Sequence, residues 1–154
     1  MYLVTVVLLL FVLPVGSIYI DHTHFHTAAP LMMLVGRWFV FWANGVRLFI
    51  AGLRQTFRPR FTSEGIFGIK GDDPLPFVEE LGMANLSMGV LGLASAFVPS
   101  FVLPSAIVSG LYYGFAGIAH ARRKNRNTNL NIAMVSDLAV FLVLAAYVVF
   151  ALRT

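Results

Sequence analysis

The chain has 154 residues, 58% of them apolar and 12% charged, with a net charge of +4 and no cysteine. Soluble domains carry roughly 25% charged residues, so this composition and a mean hydropathy of +0.81 exclude one and indicate an integral membrane protein of a single domain. The absence of cysteine excludes disulfides, thiolate metal sites, iron–sulfur clusters and cysteine nucleophiles.

The first apolar segment, about residues 2-20, has no charged side chain and is long enough to cross a hydrocarbon core as a helix. No Lys or Arg precedes it and no small-x-small site follows, which favours a retained span over a signal peptide; its removal would leave four spans. Pro14 is expected to bend this helix. The outer connection then reads Asp21-His22-Thr23-His24-Phe25-His26-Thr27. Its alternation lets His22, His24 and His26, with Asp21, face one copper or zinc ion, although a hydrated loop of this kind needs no metal to be stable.

The second segment, about 28-54, is longer than a bilayer requires and is the most polar. At about 100° per residue, Arg37, Asn44, Arg47 and Arg54 form one stripe on it. The connection 55-76 contains glycines at 65, 68 and 71 and ends in Asp72-Asp73-Pro74, where Asp73 is the expected helix cap. No Gly-Lys-Ser/Thr follows those glycines, so they are not a phosphate loop.

The third segment, about 77-97, carries a small-residue seam of Gly82, Asn85, Gly89, Gly92 and Ala96, and the fourth, 102-121, carries Ala106, Gly110, Gly114 and Gly117. A short turn joins them, so the two seams are expected to close an antiparallel hairpin with Asn85 hydrogen-bonding across it. Tyr112, Tyr113 and Phe115 are candidate walls for a flat lipophilic ring. The fifth segment is 131-152. The fold class is therefore all-α, an integral membrane helical bundle of about five transmembrane helices.

Arg54, Arg58, Arg60 and Lys70 crowd the second-to-third connection and Arg122, Arg123, Lys124 and Arg126 the fourth-to-fifth, while only Arg153 opposes them. Basic residues are retained in the cytoplasm, which predicts an inside amino terminus and an outside carboxyl terminus in a bacterial-type inner membrane. Their partner is the lipid bilayer, with anionic headgroups nearby, and nucleic acid is not needed to explain them.

Ionisable residues at membrane depth face the bundle interior and pair. Arg47, Glu80, Asn85, His120 and Asp137 are expected to cluster in the cytoplasmic third, with Asn44 on the same stripe and Glu79 and Arg54 nearer the rim. The cluster either locks helix register, or binds a polar headgroup or relays protons from the cytoplasmic side. Arg37, nearer the outer end, has no acidic partner at its expected depth, so it snorkels to water or meets an anionic ligand or a neighbouring subunit. No serine lies in a nucleophile motif and no catalytic residue is assigned. The leading reading is an accessory or scaffold subunit of a membrane assembly, partnered by other subunits or by copies of itself. The alternatives are a lipophile- or quinone-binding redox component or small carrier, and outer-face copper or zinc binding by the histidine loop.

Between Arg37 and Asn131 the chain resembles a family of small bacterial membrane proteins of uncharacterised function. The likeness rests on Pro76-Phe77, on Glu80-Leu81-Gly82-Met83-Ala84-Asn85-Leu86 with Gly89 and Gly92, and on Gly117-Ile118-Ala119-His120 with Asn125 to Asn131 downstream. It implies a multi-helix membrane protein, no stated activity, and Glu80, Asn85 and His120 as polar motif positions. The chain is more loosely similar to small four-helix membrane proteins of the DoxX type, through Arg37, Gly45-x-Arg47 and the Glu-led glycine-rich helix. That likeness implies a quinone-linked redox role.

Overall fold

Five long helices run through residues 2–25 and 29–154, which the computed structural model describes: α1 (Tyr2–Thr23), α2 (Leu31–Phe57), α3 (Leu75–Ala94), α4 (Val102–Ala121) and α5 (Thr128–Ala151). Prolines set several of their ends. Pro30 is the N-cap of α2, and at its other end Arg58, crowded by Pro59, leaves the helical region at φ −143° and ψ 59°. Pro76 lies in the first turn of α3, where a missing N–H is harmless. The expected cap, Asp73, is displaced by one residue: Pro74 occupies the cap position and no side chain bonds there. Asn127 caps α5, its Oδ1 accepting from Leu130 N at 2.8 Å.

The first helix is longer than expected and continues to Thr23, so Asp21 and His22 belong to its last turns rather than to a loop. Within the long helices two stretches are wound as π-helix, Leu8–Val12 just ahead of Pro14 and Val40–Leu48 in the middle of α2. The i→i+5 winding takes up more residues per turn, which gives the Pro14 ring room and, in α2, turns the face carrying Arg37 away from the face carrying Arg47.

Apolar side chains of α1, α2, α4 and α5 make the core, including Leu10, Val40, Ala43, Tyr113, Val140 and Leu144. The third helix stands outside that core and lies antiparallel along α2. A Cβ on Gly45 would come within 2.9 Å of Gly92 C, one on Gly89 within 2.6 Å of Phe49 N, and one on Gly52 within 2.7 Å of Gly82 O. These near-contacts of backbone on backbone require glycine and correct the expected α3–α4 hairpin: the α3 seam meets the glycines of α2. The α4 seam meets α5, where a Cβ on Gly114 would lie 2.8 Å from Phe141 Cδ2 and one on Gly117 2.7 Å from Leu138 Cγ. Likewise the Tyr147 ring occupies the space a side chain at Gly36 would need.

The protein is an all-helical membrane bundle. Four helices, Tyr2–Thr23, Leu31–Phe57, Pro99–Ala121 and Thr128–Ala151, are long and apolar enough to cross a bilayer. The expected third span is not in that set, because Glu79, Glu80 and Asn85 dilute α3. It nevertheless runs beside α2 through the thickness between the Gly52–Gly82 and Gly45–Gly92 contacts.

Candidate functional site

A cavity of about 260 Å³ opens at the end of the bundle where α1 begins and α2 and α4 finish. Every long helix contributes to it: Tyr2, Thr5 and Val6 from α1, Arg47, Arg54 and Gln55 from α2, Leu81 and Asn85 from α3, Tyr112 and His120 from α4, Ala133 and Asp137 from α5. Its walls are largely apolar and its polar groups converge.

The convergence is built from helix spacing. Arg47, in the last turn of the π segment, is followed on the same face of α2 by positions 51, 54 and 55, and 112, 116 and 120 share one face of α4. Arg47 Nη2 donates to Asp137 Oδ1 at 3.2 Å, with the two side chains only 15% and 7% exposed. His120 Nε2 lies 3.6 Å from Asp137 Oδ2, so one carboxylate faces both basic groups. The Arg47 guanidinium also sits 5.3 Å over the Tyr113 ring, and the Tyr113 hydroxyl donates to the Ala43 carbonyl inside α2's π segment. On the opposite wall Asn85 Nδ2 donates to Gln55 Oε1 at 2.7 Å, and the same side chain also meets the Tyr112 hydroxyl of α4, the helix to which a bond was expected.

A strap from the α2–α3 connection covers the mouth. Phe61–Ile66 forms a short π turn, and Phe61, Thr62, Ile66 and Phe67 line the cavity. The strap is tied to the α4–α5 connection and the first turn of α5: Asn129 Nδ2 donates to Gly65 O at 3.0 Å, Asn127 Nδ2 to Ile66 O at 3.1 Å, and Arg123 Nη1 to Phe67 O at 3.4 Å. The Phe67 ring lies 5.9 Å from the His120 ring. Gly68 turns the chain away at φ +69°, a conformation L side chains rarely adopt. Beyond it Arg60 bonds Asp72 and Glu64, and these carboxylates push its guanidinium above its ordinary value.

Of the expected cluster, Arg47, Asn85, His120 and Asp137 share this cavity. Glu80 does not: it is exposed and outside the lining, while Glu79 is half-buried, and neither forms an ion pair among the described residues. Both stand on the first turns of α3, before the seam turns that helix toward α2. Asn44 is buried above the cavity without lining it, and its Oδ1 has no partner among the described residues. Of the three aromatics, Tyr112 lines the cavity, Tyr113 is buried beside it, and Phe115 points outward at 68% exposure. Residues the sequence reading missed are Gln55, Tyr2, Thr5 and the strap. Gln55 is two turns beyond Arg47, and its signal was that spacing.

Arg37 lies at the other end and does have an acidic partner, contrary to expectation. Because α1 extends past Ile20, the buried Asp21 accepts from Trp38 Nε1 at 2.9 Å and pairs with Arg37 Nη1 at 3.5 Å. His22 and His24 are exposed, and His26 lies outside the described residues. Among the described residues no group of three or more His, Cys, Asp or Glu is placed to hold a metal ion.

Residues 1–154 match the family of unknown function DUF6790, and the chain belongs to that family. The match covers the whole chain, beyond the Arg37 to Asn131 stretch on which the resemblance rested. No curated protein and no solved structure matches the chain.

Proposed function

We propose that this member of a family of unknown function binds a membrane amphiphile, seating its polar head in the cavity against Arg47, Asp137 and His120. The observation that carries this reading is the cavity itself. It is walled by apolar side chains from all five helices, and an ion pair and an imidazole converge on its polar side. A site of this kind, mostly apolar with a few placed polar groups, is the usual form of a small-molecule pocket.

Sidedness supports the same reading. The contacts between the strap and the α4–α5 connection put both basic connections at one end of the bundle. Tyr2 lines the cavity there, while α5 ends at the other face. By the retention of basic residues this end is cytoplasmic, so the cavity opens at the inner leaflet of the membrane.

The accessory-subunit reading is favoured by a different observation. The Arg47–Asp137 pair binds α2 to α5 and would lock register with no ligand at all. Native mass spectrometry of protein extracted in mild detergent separates the two. A defined amphiphile retained by the wild type, and lost on His120→Ala with the fold intact by circular dichroism, supports binding. A bare chain held only to other protein subunits overturns it.

A further inference from the structure

The charges around the cavity do not cancel. Asp137 neutralises Arg47 and already faces His120. Arg54, next to Gln55 in the chain and exposed at the mouth, has no acidic partner among the described residues; its guanidinium lies 4.7 Å over the Phe61 ring of the strap. Glu79 and Glu80, on the helix packed against α2, do not pair with it. The cavity therefore carries a surplus positive charge at its opening.

A second, independent observation lies deeper. Asn85 is 1% exposed and lines the cavity, its side chain meeting Gln55 through the amide nitrogen and also the Tyr112 hydroxyl, yet its Oδ1 accepts no hydrogen bond among the described residues. A buried amide oxygen without a donor is unfavourable by about 1–3 kcal/mol, so the site is built to receive an O–H or N–H. An ammonium donor would bring a third cation beside Arg47 and Arg54, which Coulomb repulsion disfavours. A hydroxyl does not.

We infer that the ligand is an anionic amphiphile bearing a hydroxyl, its anion held at Arg54 and its hydroxyl donated to Asn85 Oδ1, as in a phosphodiester lipid with a glycerol head. This inference rests on the amphiphile-binding reading and names its ligand class. The same chemistry exists in the bilayer and in a free glycerol phosphate. The apolar lining by Val6, Leu9, Ile50 and Leu81 favours the lipid.

The test titrates the full-length protein in mild detergent, by native mass spectrometry, with four probes: phosphatidylglycerol, phosphatidylmethanol, diacylglycerol and glycerol 3-phosphate. Phosphatidylglycerol is expected to bind with defined stoichiometry, at least about tenfold tighter than uncharged diacylglycerol, as a charge-assisted hydrogen bond predicts. Phosphatidylmethanol keeps the charge without the hydroxyl and is expected to be weaker. Arg54→Gln should bring phosphatidylglycerol down to the diacylglycerol level, whereas Arg58→Gln, outside the cavity, should leave it unchanged. Competition by glycerol 3-phosphate at the same concentrations would assign the chemistry to a soluble ligand; its failure assigns it to the lipid. Equal binding of phosphatidylglycerol and diacylglycerol, or equal loss in both Arg variants, overturns the anion assignment and leaves amphiphile binding standing. Equal binding of phosphatidylglycerol and phosphatidylmethanol overturns the hydroxyl. No saturable binding of any acylated probe overturns both this inference and the reading beneath it.

Discussion

Arg47 on α2 and Asp137 on α5, 90 positions apart in the chain, meet at 3.2 Å with the carboxylate almost wholly buried. Removing one partner leaves a buried charge uncompensated, which destabilises proteins by about 3–5 kcal/mol. Asp137→Ala is therefore expected to lower the thermal midpoint sharply in detergent. The double variant Arg47→Met/Asp137→Leu, with neither charge, should regain most of the loss, and a double variant no better than Asp137→Ala would falsify the pairing argument.

The glycine seam makes a contrasting pair. A Cβ at Gly89 would stand 2.6 Å from the Phe49 backbone nitrogen, whereas nothing lies within 4 Å of one at Gly16. Gly89→Ala must push α3 off α2 and is expected to destabilise by about 1–3 kcal/mol, the usual range for overpacking. Gly16→Ala is expected to be neutral or to stabilise by up to about 1 kcal/mol, through helix propensity alone. Unfolding of the two variants in the same detergent compares them directly.

Asn129→Ala removes one of the side-chain ties to the strap. A single hydrogen bond is worth about 1 kcal/mol net, so amide exchange over residues 61–67 should quicken roughly fivefold while the middle of each helix is unaffected. Hydrogen–deuterium exchange read by mass spectrometry measures both regions together. Uniform quickening across the bundle would mean that the strap is not a separable unit.

At the outer end, Asp21 accepts from the Trp38 indole and pairs with the half-exposed Arg37. Asp21→Asn keeps an acceptor for the indole and gives up the ion pair with Arg37, a loss of less than about 1 kcal/mol for so exposed a partner. Asp21→Ala also strands the indole N–H, at about 1–3 kcal/mol. Thermal unfolding and tryptophan emission should rank wild type, asparagine and alanine in that order, and equal effects would show that the ion pair dominates.

Helix existence was legible in the sequence because lipid demands long uncharged runs, and the depth of Arg47, His120 and Asp137 followed from counting residues inward from charged ends. Helix partners were less so. Gly82, Gly89 and Gly92 announce a close approach, but the choice between α2 and α4 turns on Gly45 and Gly52 lying at matching intervals on α2, and a short turn is a weaker constraint than that match. Glu80 was misplaced because depth alone does not say which side of a helix faces the bundle. The single stripe drawn through Arg37 and Arg47 assumed uniform α-helical winding, which Val40–Leu48 does not have. Asp21 was read as a loop residue since a hydropathy run ends at Ile20, while the backbone continues to be helical for as long as its hydrogen bonds are satisfied.

The three ties that hold the strap to the α4–α5 connection and the first turn of α5 all end on main-chain oxygens, those of Gly65, Ile66 and Phe67. Every residue type supplies that oxygen, so the three hydrogen bonds place no demand on side-chain identity, while Arg123 over the Phe67 ring at 4.9 Å and Arg54 over the Phe61 ring at 4.7 Å do use side chains of the strap. Thr62 and Ile66 are thereby uncoupled from these contacts and can change size or polarity without releasing the cover, whereas Phe61 and Phe67 each also hold a guanidinium. The surface lining the mouth can therefore change at those two positions with the bundle beneath left as it is.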